Sequence, residues 1–189
     1  MSLFLHRGGL LKPAGGGSTT ETKDIAANDD DAYSSANLNG FFQGDDALLA
    51  GVQSSSDFTA GLRFTGFSSS LQGASVSSAT LTINIVDVLG SPDLDVYGED
   101  ADSAAAWSSG RRPGDITKTT NSKNITPSST GSLDIDVKDI VQEIVNRSGW
   151  SSDIAFGILN NAGGSNNSID FDAHEKSGGT PASLEVTWS

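Results

Sequence analysis

Along much of this chain apolar and polar residues alternate with the two-residue period of half-buried β-strands. In Gly61–Phe67, Leu62 and Phe64 fall on one side of the backbone and Arg63 on the other. Val76–Val88 is the clearest such run. Leu81, Ile83 and Ile85, continued by Asp87, share one face, and Thr80, Thr82, Asn84 and Val86 share the other. Asp93–Gly98 alternates with both aspartates outward, and Leu133, Ile135 and Val137 point inward against Asp134 and Asp136. Ile154–Leu159 is a near-continuous apolar run, as expected of a central strand. Ile169–Asp172 and Leu184–Trp188 close the series. Short strands separated by Gly, Ser and Asn predict an all-β fold, an antiparallel β-sandwich.

Three stretches break the period. Val137, Ile140, Val141, Ile144 and Val145 recur at helical spacing, with Asp136 placed to cap the start, Arg147 in the last turn and Gly149 to end it. Trp150 is then expected to anchor the exit in the core. Asp102–Thr130 is polar and poor in large apolar residues, which predicts a long loop. The stretch before Asp24 differs from both: Leu3, Phe4, Leu5, Leu10 and Leu11 surround His6, Arg7 and Lys12, and Ala14–Ser18 reads as a flexible linker. Such a stretch cannot bury its own apolar residues, so residues 1–23 are expected to form a flexible arm that orders on contact with a neighbour. Residues 24–189 are expected to form the sandwich domain.

Charge changes the picture by exclusion. The 189 residues carry a formal net charge of −13, mostly through Asp, which disfavours nucleic acid and anionic membrane as partners. The absence of cysteine removes disulfides, thiolate metal sites and cysteine nucleophiles. The apolar start is too short and too broken for a signal peptide and no run reaches transmembrane length, so the expectation is synthesis and folding in a cytoplasm.

Candidate chemistry is sparse. His6 and His174 are the only histidines, so a catalytic triad or zinc site would need His174 with Asp170, Asp172 or Glu175. No nucleophile elbow or phosphate-binding loop is present, and the expectation is a protein that is not an enzyme. Carboxylates cluster at Asp29–Asp31, Asp45–Asp46, Asp93–Asp102 and Asp170–Glu175. Most are expected to be solvated strand faces and turns. The best candidate for a structural calcium is the turn carrying Glu99, Asp100 and Asp102, because calcium takes several loop oxygens; no other cofactor is expected. Phe41 and Phe42 fall in expected loops, where they are read as plugs of the sandwich ends. Trp107, beside Arg111 and Arg112, is the candidate exposed ligand contact.

These residues together resemble a family. Leu62-Arg63-Phe64, Gly73–Leu81 and Pro181–Thr187 are similar to segments of the DNRLRE-type jelly-roll domains, with Thr65 where those domains usually carry Asp. Asp93–Ala105 and Ile140–Trp150 resemble more closely a subset found in environmental and bacteriophage proteins, and Leu5–Pro13 resembles the starts of some tailed-phage structural proteins. The resemblance spans Asp29–Trp188. It implies a jelly roll similar to carbohydrate-binding modules, and a virion structural protein made in the host cytoplasm: a capsid decoration (cement) protein or a head or tail appendage. Its partners would be copies of itself, as in a trimer, and major capsid or other virion proteins, reached through Leu3, Phe4, Leu5, Arg7, Leu10, Leu11 and Lys12. The alternative is a carbohydrate-binding module that meets a glycan through loop aromatics, with Trp107, Arg111 and Arg112 as contacts.

Overall fold

A computed structural model describes residues 17–161 and 164–189. The proposed partner-binding residues Leu3 to Lys12 lie outside them. The chain forms β1 (Thr19–Asp24), β2 (Asp31–Ser35), β3 (Gly40–Phe42), β4 (Ala47–Gln53), β5 (Ser56–Phe64), β6 (Val76–Leu89), β7 (Leu94–Glu99), β8 (Lys118–Ile125), β9 (Gly131–Asp136), α1 (Lys138–Val145), β10 (Ile154–Asn160), β11 (Asn167–Asp172) and β12 (Ser183–Trp188).

Eight of the strands make a jelly roll, and their pairing is nested in sequence: β4 with β11, β5 with β10, β6 with β9, β7 with β8. Lateral pairs β6·β11 and β7·β10 complete two antiparallel sheets, ordered β4-β11-β6-β9 and β5-β10-β7-β8. This is a long hairpin wrapped on itself, the arrangement of a double-sheet jelly roll. The β4–β5 hairpin turns at Ser54 and Ser55, both with positive φ (50° and 65°) as a two-residue turn requires, and β5 passes from the first sheet to the second after Phe58. Gly51, at φ 110°, has Asn167 O 2.3 Å from where a Cβ would stand, so no other residue fits this crossing of β4 and β11.

The alternation read from sequence places the core. Leu62, Phe64, Leu81, Ile83, Phe156, Ile158, Ile169, Phe171, Leu184 and Val186 are buried between the sheets. Phe64 and Phe156 meet edge to face at 6.1 Å. Asp87 departs from the expected face. A register shift between Asp170 and Phe171 inserts one extra residue in β6, so Asp87 turns outward opposite Asp170.

Helix α1 plugs one end, its Ile140 and Ile144 packed over Gly98 of β7. Asp136 accepts a hydrogen bond from the Lys138 amide at 3.1 Å, and Trp150 is buried with its indole N–H donated to Asp153 O at 3.1 Å. The helix also holds β8, which the expected 102–130 loop did not include. β8 escapes a pattern reading because only Thr119 and Ile125 of it are buried. Glu143 of α1 accepts the backbone N–H groups of Thr120 (2.7 Å) and Asn121 (2.9 Å) and the Asn121 side chain (2.7 Å). Burial opposes its charge, but the bonds donated by Asn121 and Thr120 outweigh burial and hold the carboxyl below the ordinary glutamate range. A lowered folded pKa means stability that is present above the unfolded value and lost as pH falls through the folded one. Glu143→Gln should therefore cost about 1 kcal/mol at pH 7. In thermal unfolding at successively lower pH, the gap between variant and parent should close below about pH 4.

β1 corrects the arm boundary. Residues 19–23 were expected in the arm, but they pair with β12 in register from Thr19↔Trp188 to Asp24↔Ser183. Their β-branched threonines stand opposite Thr187 and Glu185, with Thr20 and Thr187 hydroxyls 2.9 Å apart.

Candidate functional site

The outer face of the β2-β5-β10 sheet carries a transverse row of small residues, Ala32, Gly61 and Gly157, aligned by strand register. Over it lies the chain's own segment 101–117, a strap seated by Trp107, Pro113 and Ile116. A Cβ at Gly61 would stand 2.6 Å from Pro113 Cγ and 2.8 Å from Trp107 Cε2, and one at Gly157 would stand 3.1 Å from Ile116 Cδ1. The row is small so that the strap can lie flat. Ala32, Trp107 and Ile116 form, with Ala104 and Ala155, a second hydrophobic cluster separate from the core between the sheets.

Under the strap sits Arg63. Its guanidinium reaches Asp30, Asp153 (2.9 Å) and the Ala104 carbonyl (2.7 Å), joining β5 to three segments distant in sequence. Asp30 is 3% exposed. Its carbonyl accepts both the Arg63 amide (2.7 Å) and the Trp107 indole N–H (3.2 Å).

Two sequence expectations are corrected here. Trp107 is not an exposed ligand contact: it is 2% exposed, hydrogen-bonded to β2's approach, and covered by Arg111 at 4.3 Å from its ring. Nor do Glu99, Asp100 and Asp102 gather as calcium ligands. Glu99 pairs with Arg111, whereas Asp100 and Asp102 (2.8 Å) share Arg147. Burial raises the Glu99 carboxyl, and Arg111 pulls it back. These arginines supply the positive charge that a cation would have supplied. Arg112 bonds Asn39 Oδ1 at 2.7 Å and lines a polar pocket of about 120 Å³ with Ser34, Thr59 and Asp115.

Phe42 is not in a loop but in β3, where it stacks on Tyr33 at 4.7 Å and leans on Phe58; both Phe42 and Tyr33 are half-buried. Tyr33 donates its hydroxyl to Asp45 at 2.8 Å. Phe41 packs against the strap cluster.

The acidic clusters at the two ends of the sequence behave differently from expectation. Asp30 and Asp31 are buried rather than solvated. Asp31 is 1% exposed at the start of β2, and one of its oxygens accepts the His174 amide at 2.8 Å. The other oxygen, Oδ1, has no partner, and neither does Oε1 or Oε2 of Glu175, all three being buried. Burial first of all, then the Glu175 charge, raises the Asp31 carboxyl to about 7, against the amide bond from His174. The neighbouring Asp172 is satisfied by Lys176, Thr180 N–H (2.9 Å) and Asn84 (2.8 Å). Among the described residues the His174 ring makes no hydrogen bond to a serine hydroxyl or a carboxylate, and no three His, Asp or Glu side chains group as metal ligands.

No protein-family model matches the chain, and no curated protein matches it. Among solved structures it is similar to the family 11 carbohydrate-binding module from Clostridium thermocellum, described in complex with a beta-1,3-1,4-mixed-linked tetrasaccharide. That likeness has a TM-score of 0.31 and 12% identity, covering 90% of this chain and 84% of that one. The jelly-roll assignment stands on the strand order of the chain itself.

Proposed function

We propose that this chain is a non-catalytic virion structural module, a capsid decoration protein or a head or tail appendage, of the phage subset of DNRLRE-type domains. In this reading it assembles with copies of itself and with other virion proteins. The observation that carries the reading is the strap: the broad sheet face is filled by the chain's own Trp107, Pro113 and Ile116, so attachment falls to other parts of the molecule. The segment before β1 suits attachment. Its apolar residues need a surface to cover them, and Arg7 and Lys12 oppose a strongly acidic body, so the segment of one copy is drawn to the body of another. Its anchor point is an edge strand among the described residues, where β1 pairs with β12 alone.

The test is deletion of residues 2–16, which stops short of β1. The full chain is expected to run as a homo-oligomer in size exclusion with light scattering and to sediment with parent particles. The truncated chain should melt at the same temperature, run as a monomer and stay in the supernatant. A truncated chain that still joins particles at full occupancy would rule the reading out. A hydrolase screen is expected to show no turnover.

A second reading, a carbohydrate-binding module, rests on the half-buried Tyr33–Phe42 stack beside Asp45, since ring faces meet sugar C–H surfaces and carboxylates accept from hydroxyls. A glycan-array signal that Phe42→Ala removes, with the segment before β1 dispensable, would favour it.

A further inference from the structure

Among the described residues β1, β3, β8 and β9 are the strands with one edge unpaired. Such an edge offers a row of backbone donors and acceptors to another strand. β3 has only three residues, β8 carries lysines alone (Lys118, Lys123) and β9 aspartates alone (Asp134, Asp136). Glu143 also takes the Thr120 and Asn121 amides of β8. β1 differs: it carries both signs of charge, Glu21 and Lys23, among threonines. One hydrogen bond fixes which of its backbone groups are free. Ile25 donates its amide to Ala182 O at 3.1 Å, one step beyond the Asp24↔Ser183 pair. In an antiparallel ladder alternate residues turn both backbone groups to the same side. Glu21 and Lys23 therefore bond β12, whereas Thr20, Thr22 and Asp24 turn their N–H and C=O groups away from it. Among the described residues nothing else answers those groups.

From this geometry we infer that β1 pairs antiparallel with β1 of a second copy about a two-fold axis at Thr22, joining the two sheets edge to edge. This register sets Thr22 opposite Thr22 and Thr20 opposite Asp24 as hydrogen-bonded pairs, each exchanging two backbone bonds. Between them Glu21 of each copy faces Lys23 of the other, in the close positions where opposite charges gain most. The neighbouring registers of the same hydrogen-bonding phase set Glu21 opposite Glu21, or Lys23 opposite Lys23, and are disfavoured. The contact is isologous, one patch serving both copies. Its charges are already in place. Glu21 and Lys23 share one face of the strand at 3.4 Å, Glu21 accepts the Ser68 amide at 3.2 Å, and Lys23 lies over the Phe67 ring. Little side-chain freedom is left to lose on pairing. The inference rests on the self-assembly proposed above: a pair of six-residue polar strands is a small interface, and the segment entering β1 at Thr19 holds the copies close enough for it to form.

The chain has no cysteine, so Thr22→Cys supplies a single thiol, placed on the two-fold axis. A short bismaleimide should join full-length Thr22→Cys into covalent dimers on a denaturing gel, roughly tenfold or more faster than it joins Ser122→Cys on the exposed edge of β8. Adding Glu21→Lys to Thr22→Cys should slow the joining roughly tenfold, and adding Lys23→Glu should do the same. An equimolar mixture of those two chains should regain the parent rate, because each then meets opposite charges. Recovery on mixing also shows that both variants are folded. Light scattering of the same samples separates the strand contact from the reading beneath it. An oligomeric full chain whose Thr22→Cys joins no faster than Ser122→Cys overturns the strand pairing and leaves self-assembly standing. Joining that Glu21→Lys does not slow, or that mixing does not restore, overturns the register. A monomeric full chain that does not join overturns both. A chain lacking residues 2–16 that joins as fast as the full chain supports the strand pairing and overturns the role of the segment before β1.

Discussion

Trp107→Ala is expected to cost about 3–5 kcal/mol of folding stability, roughly 10 °C in Tm, and to do so in the absence of any ligand. The indole fills the space between the strap and Gly61, where the backbone has no side chain to collapse into the hole. Removing it strands Arg111, which loses the ring beneath its guanidinium and keeps only Glu99. Trp107→Phe tests the hydrogen bond separately. It should cost only about 1 kcal/mol, because the Asp30 carbonyl still accepts the Arg63 amide and is not orphaned. Differential scanning calorimetry of both variants checks this. An alanine variant with the parent's Tm would return Trp107 to the role of an exposed contact.

Arg63→Met should be comparably damaging, about 3–5 kcal/mol, for a different reason. The methionine roughly keeps the packed stem but leaves Asp30 buried with no cation, and the Ala104 carbonyl and Asp153 Oδ2 lose their donor while Asp153 Oδ1 keeps Gly66 and Ser152. Arg63→Lys should recover only part, since one ammonium cannot reach three acceptors in the plane of a guanidinium. Adding Asp30→Asn and Asp153→Asn to Arg63→Met should restore stability that the single change removed, because the stranded charges go too. Limited proteolysis gives a second readout: cleavage within 101–117 should become fast in Arg63→Met while the two-sheet core resists. Trp107 and Arg63 share Asp30, so their double variant should lose less than the two single losses added together.

How much of this was legible in the sequence depends on what each residue faces. β6, β7, β9, β11 and β12 were readable because they alternate against a single core, β10 because its apolar run is nearly continuous, and the helix because Ile140, Val141, Ile144 and Val145 repeat on one side. β4 was not, since Ala47–Gln53 is apolar on both faces and interrupted by Gly51, whose role appears only when β11 crosses it. β8 is polar because one face meets water and Glu143 covers its backbone. The strap was read as an open loop for a similar reason. Its apolar residues, Trp107, Pro113 and Ile116, are spaced irregularly because they fit a row of glycines and alanine set by three other strands. No local pattern encodes that row. Asp29–Asp31 and Asp170–Glu175 were visible as acidic clusters, but only the fold decides which carboxylates meet an arginine and which are buried without one.

The register of β1 against β12 has a practical corollary for anyone building with this domain. Thr19 sits directly opposite Trp188, so the two ends of the folded body are one strand spacing apart. A polypeptide fused before Thr19 and another fused after Trp188 would leave from the same corner, and the sandwich would hang from that corner as a pendant rather than stand in line as a spacer. A short linker joining the two ends, with new termini opened at the Ser54–Ser55 turn, should give a permuted chain that still folds, since the cut falls in a surface turn and the join spans a gap that already exists.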